Sequence, residues 1–281
     1  MADVPTDILL FIIELVCKED ASTLKTLSLT SVIFRDLCQQ RLFKSVRLKN
    51  SILVKYNPTI PPLFLSKFHD VVTNSPRIAS YIRELKIGQY SMPASGGLRH
   101  YRPGVPMLWM IDHSTVISQI FDALESSPIR AFAFTSRRRI GWNELDEHFR
   151  VSLSRILRNP SFETISIDGL TIPGHFFADF TSLREVTLLR LDLLPGTVDL
   201  PPSTRTHLIS HLTFSLNLQY DLDGAELPKI KCLGPIIGLD LSSIEVLDVE
   251  LNFGLVPELS RHLLHLRTLR YLKLSTHPYG E

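Results

Sequence analysis

One pattern of apolar and polar positions recurs along the chain. It is a six-residue unit, apolar-x-x-apolar-x-apolar, in which the last apolar positions alternate with other residues. This alternation predicts a short strand with one face turned inward. The unit occurs eight times, as FKSVRL (43–48), IRELKI (82–87), IRAFAF (129–134), FETISI (162–167), LREVTL (183–188), ISHLTF (209–214), IEVLDV (244–249) and LRYLKL (269–274).

The spacing of these units is typical of a repeat protein. From the fourth position of one unit to that of the next, the distances are 39, 47, 33, 21, 26, 35 and 25 residues. Three of them fall in the range of about 20–29 residues that leucine-rich repeats have, and the others are that unit lengthened. Helices are predicted between the strands, at 62–74, 114–127, 143–159 and 257–267. Strands and helices that alternate at this period predict a curved α/β solenoid with a parallel sheet inside and helices outside.

The first fifty residues have a helical pattern instead. Residues 4–17, VPTDILLFIIELVC, open on Pro5 and the pair Thr6–Asp7, which suit a helix start, and then leave almost no polar side. Two shorter helices are expected next, one through Leu24 and one capped by Thr30 or Ser31. Three short helices build only a small core, which cannot bury a helix that is apolar on all sides. We therefore expect part of this helix to be covered by another protein or by the rest of the chain.

In the order of its residues, this segment resembles an F-box. The matching positions are Val4-Pro5, Asp7-Ile8-Leu9, Ile12-Ile13, Leu15, Leu24, Leu27, Leu29-Thr30-Ser31, Phe34-Arg35, Leu37-Cys38 and Leu42-Phe43-Lys44-Ser45-Val46. That family usually opens on Leu-Pro and carries an aromatic residue, often Trp, where Phe34 and Phe43 stand. Together with the repeats, the chain resembles the F-box proteins with irregular leucine-rich repeats that are common in fungi and plants. The resemblance implies two domains, an F-box module at 1–48 and a leucine-rich-repeat-like solenoid at 49–281.

The resemblance also implies a function. The F-box module would dock on the Skp-type adaptor of a cullin ubiquitin ligase, and the repeats would hold a protein substrate, so the chain itself would be no enzyme. Carried over by position, the adaptor contacts would be Pro5, Ile8, Leu9, Ile12, Leu24 and Phe34. Two alternatives remain open: a repeat scaffold whose F-box-like segment only caps the solenoid, and an enzyme of unrecognised type. A generic α/β domain with similar strands also fits the repeats.

A substrate has two candidate sites. The first is the concave face of the solenoid, the usual binding surface of such folds. The polar strand positions that would line it are Arg47, Lys49, Glu84, Lys86, Thr135, Thr164, Ser166, Asp168, Glu185, Thr187, His211, Thr213, Ser215, Asp248, Glu250, Tyr271, Lys273 and Ser275. A solvated strand face is the plain alternative for each of them.

The second candidate site is the long Gly- and Pro-rich segment 88–109, which breaks the period. Long loops in compact domains are either functional or disordered. Several of its residues are of types that anchor protein interfaces, namely Tyr90, Arg99, His100, Tyr101, Arg102 and Trp109. Nearby, Arg137–Arg139 follow a strand and suit either an acidic or phosphorylated partner or a solvated turn.

Composition narrows these possibilities. The 281 residues carry 30 basic and 29 acidic side chains, a net charge of +1, so no global field favours nucleic acid or membranes over proteins as partners. Cys17, Cys38 and Cys232 form no CxxC pair and are odd in number, which indicates a reducing compartment, cytoplasmic or nuclear. Neither phosphate-loop, dinucleotide, hydrolase-elbow nor zincin motifs occur, and we expect no cofactor or metal. Since no polar capping helix follows the eighth unit, we expect a shortened or otherwise covered solenoid there.

Overall fold

The eight recurring units form eight adjacent strands of one parallel sheet in a computed structural model. The structure describes residues 6–19, 21–48, 62–88, 109–173, 176–177, 180, 182–189, 193–194, 209–216, 243–251 and 267–276. Its strands are β1 (Ser45–Leu48), β2 (Glu84–Gly88), β3 (Ala131–Gly141), β4 (Thr164–Pro173), β5 (Glu185–Leu189), β6 (Leu193–Leu194), β7 (His211–Leu216), β8 (Val246–Leu251) and β9 (Tyr271–Thr276). The order is β1-β2-β3-β4-β5-β7-β8-β9, and the short β6 pairs only with β4.

The register of the sheet follows the six-residue unit. The fourth residues of all eight units are consecutive Cα partners across the sheet, and they are Val46, Leu85, Phe132, Ile165, Val186, Leu212, Leu247 and Leu272. A slip by one residue would turn a whole strand's apolar set to the other face. The six inner members of this column are buried, whereas Val46 and Leu272 at the two edge strands are less covered. The apolar alternation therefore sets the register.

A repeated pair of backbone hydrogen bonds aligns the starts of neighbouring strands. The carbonyl of Lys44, the second residue of its unit, accepts the N–H groups of Arg83 at 2.9 Å and Glu84 at 3.0 Å. The carbonyl of Arg83 accepts those of Arg130 and Ala131 in the same way. The pattern continues from unit to unit as far as β9. In each case the carbonyl of the second residue of one unit accepts two N–H groups at the start of the next strand.

Eight helices accompany the sheet among the described residues, and they are α1 (Thr6–Glu19), α2 (Ala21–Leu27), α3 (Val32–Phe43), α4 (Leu63–Asn74), α5 (Pro76–Ala79), α6 (Trp109–Asp112), α7 (Ser114–Ala123) and α8 (Glu147–Leu157). The helices predicted at 62–74, 114–127 and 143–159 correspond to α4, α7 and α8, while 257–267 lies almost wholly outside the described residues. The third starts later than predicted because Asp146 caps it, accepting the His148 N–H at 2.8 Å, and residues 142–144 form a 3-10 turn.

Two apolar clusters build the interior. The large one joins α4, α7 and α8 to the inward face of the strands, and α4, α7 and α8 lie side by side over that face. The small one holds Ile13, Leu24 and Cys38 between the first three helices. Described residues on the other face of the strands are mostly half-buried or exposed, and we call this second face the open face of the sheet.

Candidate functional site

Exposed apolar side chains are concentrated in the first three helices. Seven of the eleven exposed large apolar residues of the described chain lie between residues 8 and 33. We call them the N-terminal apolar set, and its members are Ile8, Phe11, Ile12, Leu15, Leu29, Val32 and Ile33. Scattered exposed apolar residues are ordinary, but such a concentration is a feature of protein-binding surfaces.

Helix α1 has two apolar sides with different surroundings. Ile13 is 0% exposed in the small cluster and Val16 packs against it, while Leu9, one turn before Ile13, is half-buried. The other side follows the 3- and 4-residue spacing of one helix face and consists of Ile8 (50% exposed), Phe11 (61%), Ile12 (41%) and Leu15 (49%). One apolar side is thus core, and the other side meets solvent.

The six predicted adaptor contacts divide between these surroundings. Ile8 and Ile12 are exposed, and Leu9 is half-buried. Leu24 is only 2% exposed and Phe34 packs partly buried against the same small cluster, so both are core residues, because a three-helix unit needs apolar contacts of its own. Pro5 lies outside the described residues.

Five further exposed apolar residues are not among the six predicted adaptor contacts: Phe11, Leu15, Leu29, Val32 and Ile33. Helical spacing from Ile8 was the available signal for the first two. The other three flank the turn between α2 and α3, where Ser31 caps α3 by accepting the Phe34 N–H at 3.2 Å. This cap holds the turn that presents Leu29, Val32 and Ile33.

The N-terminal helices are tied to each other and to the first repeat by charged contacts. Arg41 of α3 forms an ion pair with Glu14 of α1. Asp36 of α3 pairs with Arg77 and accepts a hydrogen bond from the Tyr81 hydroxyl, both of which come from the residues just before β2. Burial, together with the hydrogen bond to Asp36, raises the pKa of Tyr81, which therefore stays a neutral donor at physiological pH.

The open face of the sheet is a polar mosaic whose charges are largely paired. Lys273 donates to Asp248 on the neighbouring strand at 2.8 Å, and Thr164 donates to Glu185 at 3.3 Å. Partial burial disfavours the ionised form of Glu84, but hydrogen bonds from Ser45 and Lys86 outweigh it and lower the pKa of this carboxyl. Such a face suits polar contacts with a protein better than attraction of a highly charged ligand.

The residues of segment 88–109 that were predicted to contact a substrate are either outside the described residues or buried in the core. Tyr90, Arg99, His100, Tyr101 and Arg102 lie outside the described residues, as does Lys49. Trp109 is 0% exposed and packs edge-on against Phe64, with ring centroids 6.0 Å apart, so the prediction that it contacts a substrate is wrong. Its position in α6 makes it part of the core.

The prediction that Arg137–Arg139 follow a strand is also wrong. They lie within β3, which continues to Gly141 with a register shift between Thr135 and Ile140. The shift keeps Ile140 paired with Leu170 and buried, so the strand gains a second buried stretch beyond the arginines.

In the described part of the chain, no three His, Cys, Asp or Glu residues are grouped as metal ligands. Cys38 is buried and packs in the small cluster. None of the described helices is both long and apolar enough to cross a bilayer.

No family model, curated protein or solved structure matches the chain. Two surfaces of the described residues bear on function, the N-terminal apolar set and the open face of the sheet.

Proposed function

We propose that this chain is the substrate-recognition subunit of a Skp/cullin/F-box ubiquitin ligase. Residues 4–48 bind the adaptor, and the repeats bind a protein substrate in the cytoplasm or nucleus. Other subunits carry out ubiquitin transfer, so the contribution of this chain is proximity and orientation. The observation that carries the proposal is the concentration of seven exposed apolar side chains in α1 and around the start of α3.

Covering this surface would supply part of the energy of a specific complex, because association also has to offset lost translational and rotational freedom. Burying a large apolar side chain completely is worth about 1.5–3 kcal/mol, so covering the exposed half of four such residues on α1 gives on the order of 3–6 kcal/mol. The residues near the α2–α3 turn add to it, since Leu29 is 78% and Val32 74% exposed. An adaptor that presents an apolar groove would recover this energy.

The repeat half of the proposal rests on the sheet. The strands are parallel, follow one another in sequence order and pair so that equivalent positions of the six-residue unit are neighbours. A leucine-rich-repeat solenoid has the same arrangement. The helices α4, α7 and α8 lie on one side, which leaves the open face for a substrate. Its paired charges and small polar residues favour a protein ligand.

One observation favours the scaffold alternative. Asp36 contacts Tyr81 and Arg77, and Phe43 at the end of α3 packs against the large cluster, so the N-terminal helices also cover the first edge of the sheet. In that alternative the N-terminal apolar set binds no adaptor, and the helices serve only as a cap.

Co-purification with a Skp-type adaptor tests the proposal. We expect Ile12→Asp to reduce adaptor retention about tenfold or more, because a carboxylate would be buried without a partner in the interface. Leu63→Asp is the matched control, since Leu63 of α4 is 68% exposed outside the N-terminal helices. Failure of the unmodified chain to retain the adaptor, or equal retention by both variants, contradicts the proposal. Unfolding of the whole chain by Ile12→Asp supports the capping alternative.

A further inference from the structure

A cavity of about 360 Å³ lies along one side of α8. Helix α7 packs along the other side, where Asp122 is 3.3 Å from His148 and 3.6 Å from Arg155. The opposite wall of the cavity is formed by Trp142, Pro173, Phe176 and Phe180. We call this space the α8 pocket. Its volume is at the lower end of the range of about 300–1,000 Å³ for ligand pockets, which is room for a few side chains and not for a folded domain.

The helical wall of the α8 pocket is basic. It consists of residues at helical spacings of three, four, seven and eleven, which share one side of α8: Glu147, Arg150, Val151, Ser154 and Arg158. Arg155 also borders the pocket, but it pairs with Asp122 of α7 at 3.6 Å. Arginine is therefore the commonest charged residue of this wall, and Arg150 lies nearest its middle. The Nε of Arg150 is buried and has no hydrogen-bond partner among the described residues. A buried donor without an acceptor is costly, and a carboxylate is its strongest acceptor.

The opposite wall is aromatic. The rings of Trp142 and Phe176 meet edge to face, with centroids 5.1 Å apart, and Phe176 lies 5.8 Å from Phe180. On the helical wall of the pocket, Val151 is 42% exposed between Arg150 and Ser154. These surfaces favour an apolar side chain inserted between the rings and the helix.

We propose that the α8 pocket binds a peptide segment of a protein partner in which an aromatic or branched aliphatic residue stands next to one or two carboxylates. The apolar side chain fills the space against Phe176 and Val151, and a carboxylate pairs with the guanidinium of Arg150, which lines the pocket. An apolar anchor beside a complementary charge is the arrangement by which interfaces gain most of their energy. The inference deepens the proposed function and rests on it only in identifying the partner as a ligase substrate.

Selection from a displayed library of random peptides on the full chain tests the inference. We expect enriched sequences to share an apolar residue flanked by Asp or Glu. Their affinity should fall about tenfold or more in Arg150→Gln, which loses a charge-assisted hydrogen bond, and similarly in Val151→Glu, which repels the ligand's carboxylate. Lys67→Glu on α4 changes an exposed basic residue outside the pocket and should leave the affinity unchanged. Thermal melting confirms that each variant is folded.

Three results overturn the inference: enrichment of no peptide, enrichment of peptides without acidic residues, and equal binding by Arg150→Gln and the unmodified chain. Adaptor co-purification on the same samples separates this outcome from that of the proposed function. A chain that binds the selected peptides but not the adaptor keeps the pocket and loses the ligase assignment. If the unmodified chain and Arg150→Gln both retain the adaptor but no acidic peptide is selected, the proposed ligase function stands and the peptide-binding role of the α8 pocket is wrong.

Discussion

The carboxylate of Asp36 in α3 accepts a hydrogen bond from the hydroxyl of Tyr81, 45 residues further along the chain. Arg77 donates to the same hydroxyl through its Nε at 2.6 Å and pairs with Asp36 as well. These three side chains join the N-terminal helices to the first repeat. The small and large apolar clusters are thus connected by a polar contact in addition to the packing of Phe43.

Removal of the Tyr81 hydroxyl tests the strength of this connection. We expect Tyr81→Phe to lower the free energy of unfolding by about 1 kcal/mol, since a partly buried hydrogen bond to a charged acceptor is lost. Urea denaturation measures the change. Arg77→Ala is the control: its guanidinium is largely exposed, so its ion pair should contribute less than the hydroxyl. A larger loss from Arg77→Ala than from Tyr81→Phe would contradict this order.

Gly88 at the end of β2 tests how closely β2 and β3 approach. A Cβ at this position would lie 2.9 Å from the Thr135 Cβ and still nearer to the Thr135 carbonyl oxygen. We expect Gly88→Ala to destabilise the fold by about 1–3 kcal/mol, because the neighbouring backbone must shift. Gly141→Ala is the matched control, since its Cβ would meet only the flexible Glu144 side chain at 3.1 Å. Thermal melting compares the two, and similar midpoints would show that the strands can separate at little cost.

The register column makes a third prediction. Leu85 of β2 is completely buried, whereas Leu272 of the same column, at the edge strand β9, is 40% exposed. We expect Leu85→Ala to cost about 2–5 kcal/mol and Leu272→Ala less than about 1 kcal/mol, because only the first leaves an enclosed cavity. Denaturant titration at equal protein concentration measures both. Equal losses would mean that Leu272 is covered as well as Leu85.

Much of the sheet was predictable from apolar alternation. The eight units predicted the eight long strands, and the phase of each unit also determines its register, as the pairing of Val46 with Leu85 and of Leu85 with Phe132 illustrates. The extension of β3 through Arg137–Arg139 was not predictable, because three charged residues carry no strand pattern. Pairing with β4 beyond the register shift overrides their local preference.

The candidate sites were less predictable than the fold. Helical spacing alone cannot separate the side of α1 that packs on Leu24 from the side that carries Phe11, because both sides are apolar. Only the positions of α2 and α3 decide which side is covered. The α8 pocket was missed for a similar reason: Phe176 follows β4 in the sequence, and it comes near Arg150 and Trp142 only because β4 pairs with β3.

His113 makes stability depend on pH. It is only 4% exposed, between α6 and α7, and burial lowers the pKa of its imidazole below the usual value, although the nearby charge of Asp112 acts in the opposite direction. The unfolded chain therefore binds a proton at a higher pH than the folded chain does. Stability from this group is complete above the unfolded pKa of about 6.5 and is lost as the pH falls through the lower folded pKa.

We expect the melting temperature to decrease between pH 7.5 and pH 5, and His113→Gln to make this decrease smaller, because glutamine has no proton to take up. His148→Gln is the control for the replacement of a histidine by glutamine, since His148 lies exposed on α8. Thermal melts of the three proteins in buffers of equal ionic strength measure the effect. If His113→Gln loses as much stability on acidification as the unmodified chain does, the prediction is wrong. The protons that destabilise the fold would then be taken up by groups other than the imidazole of His113.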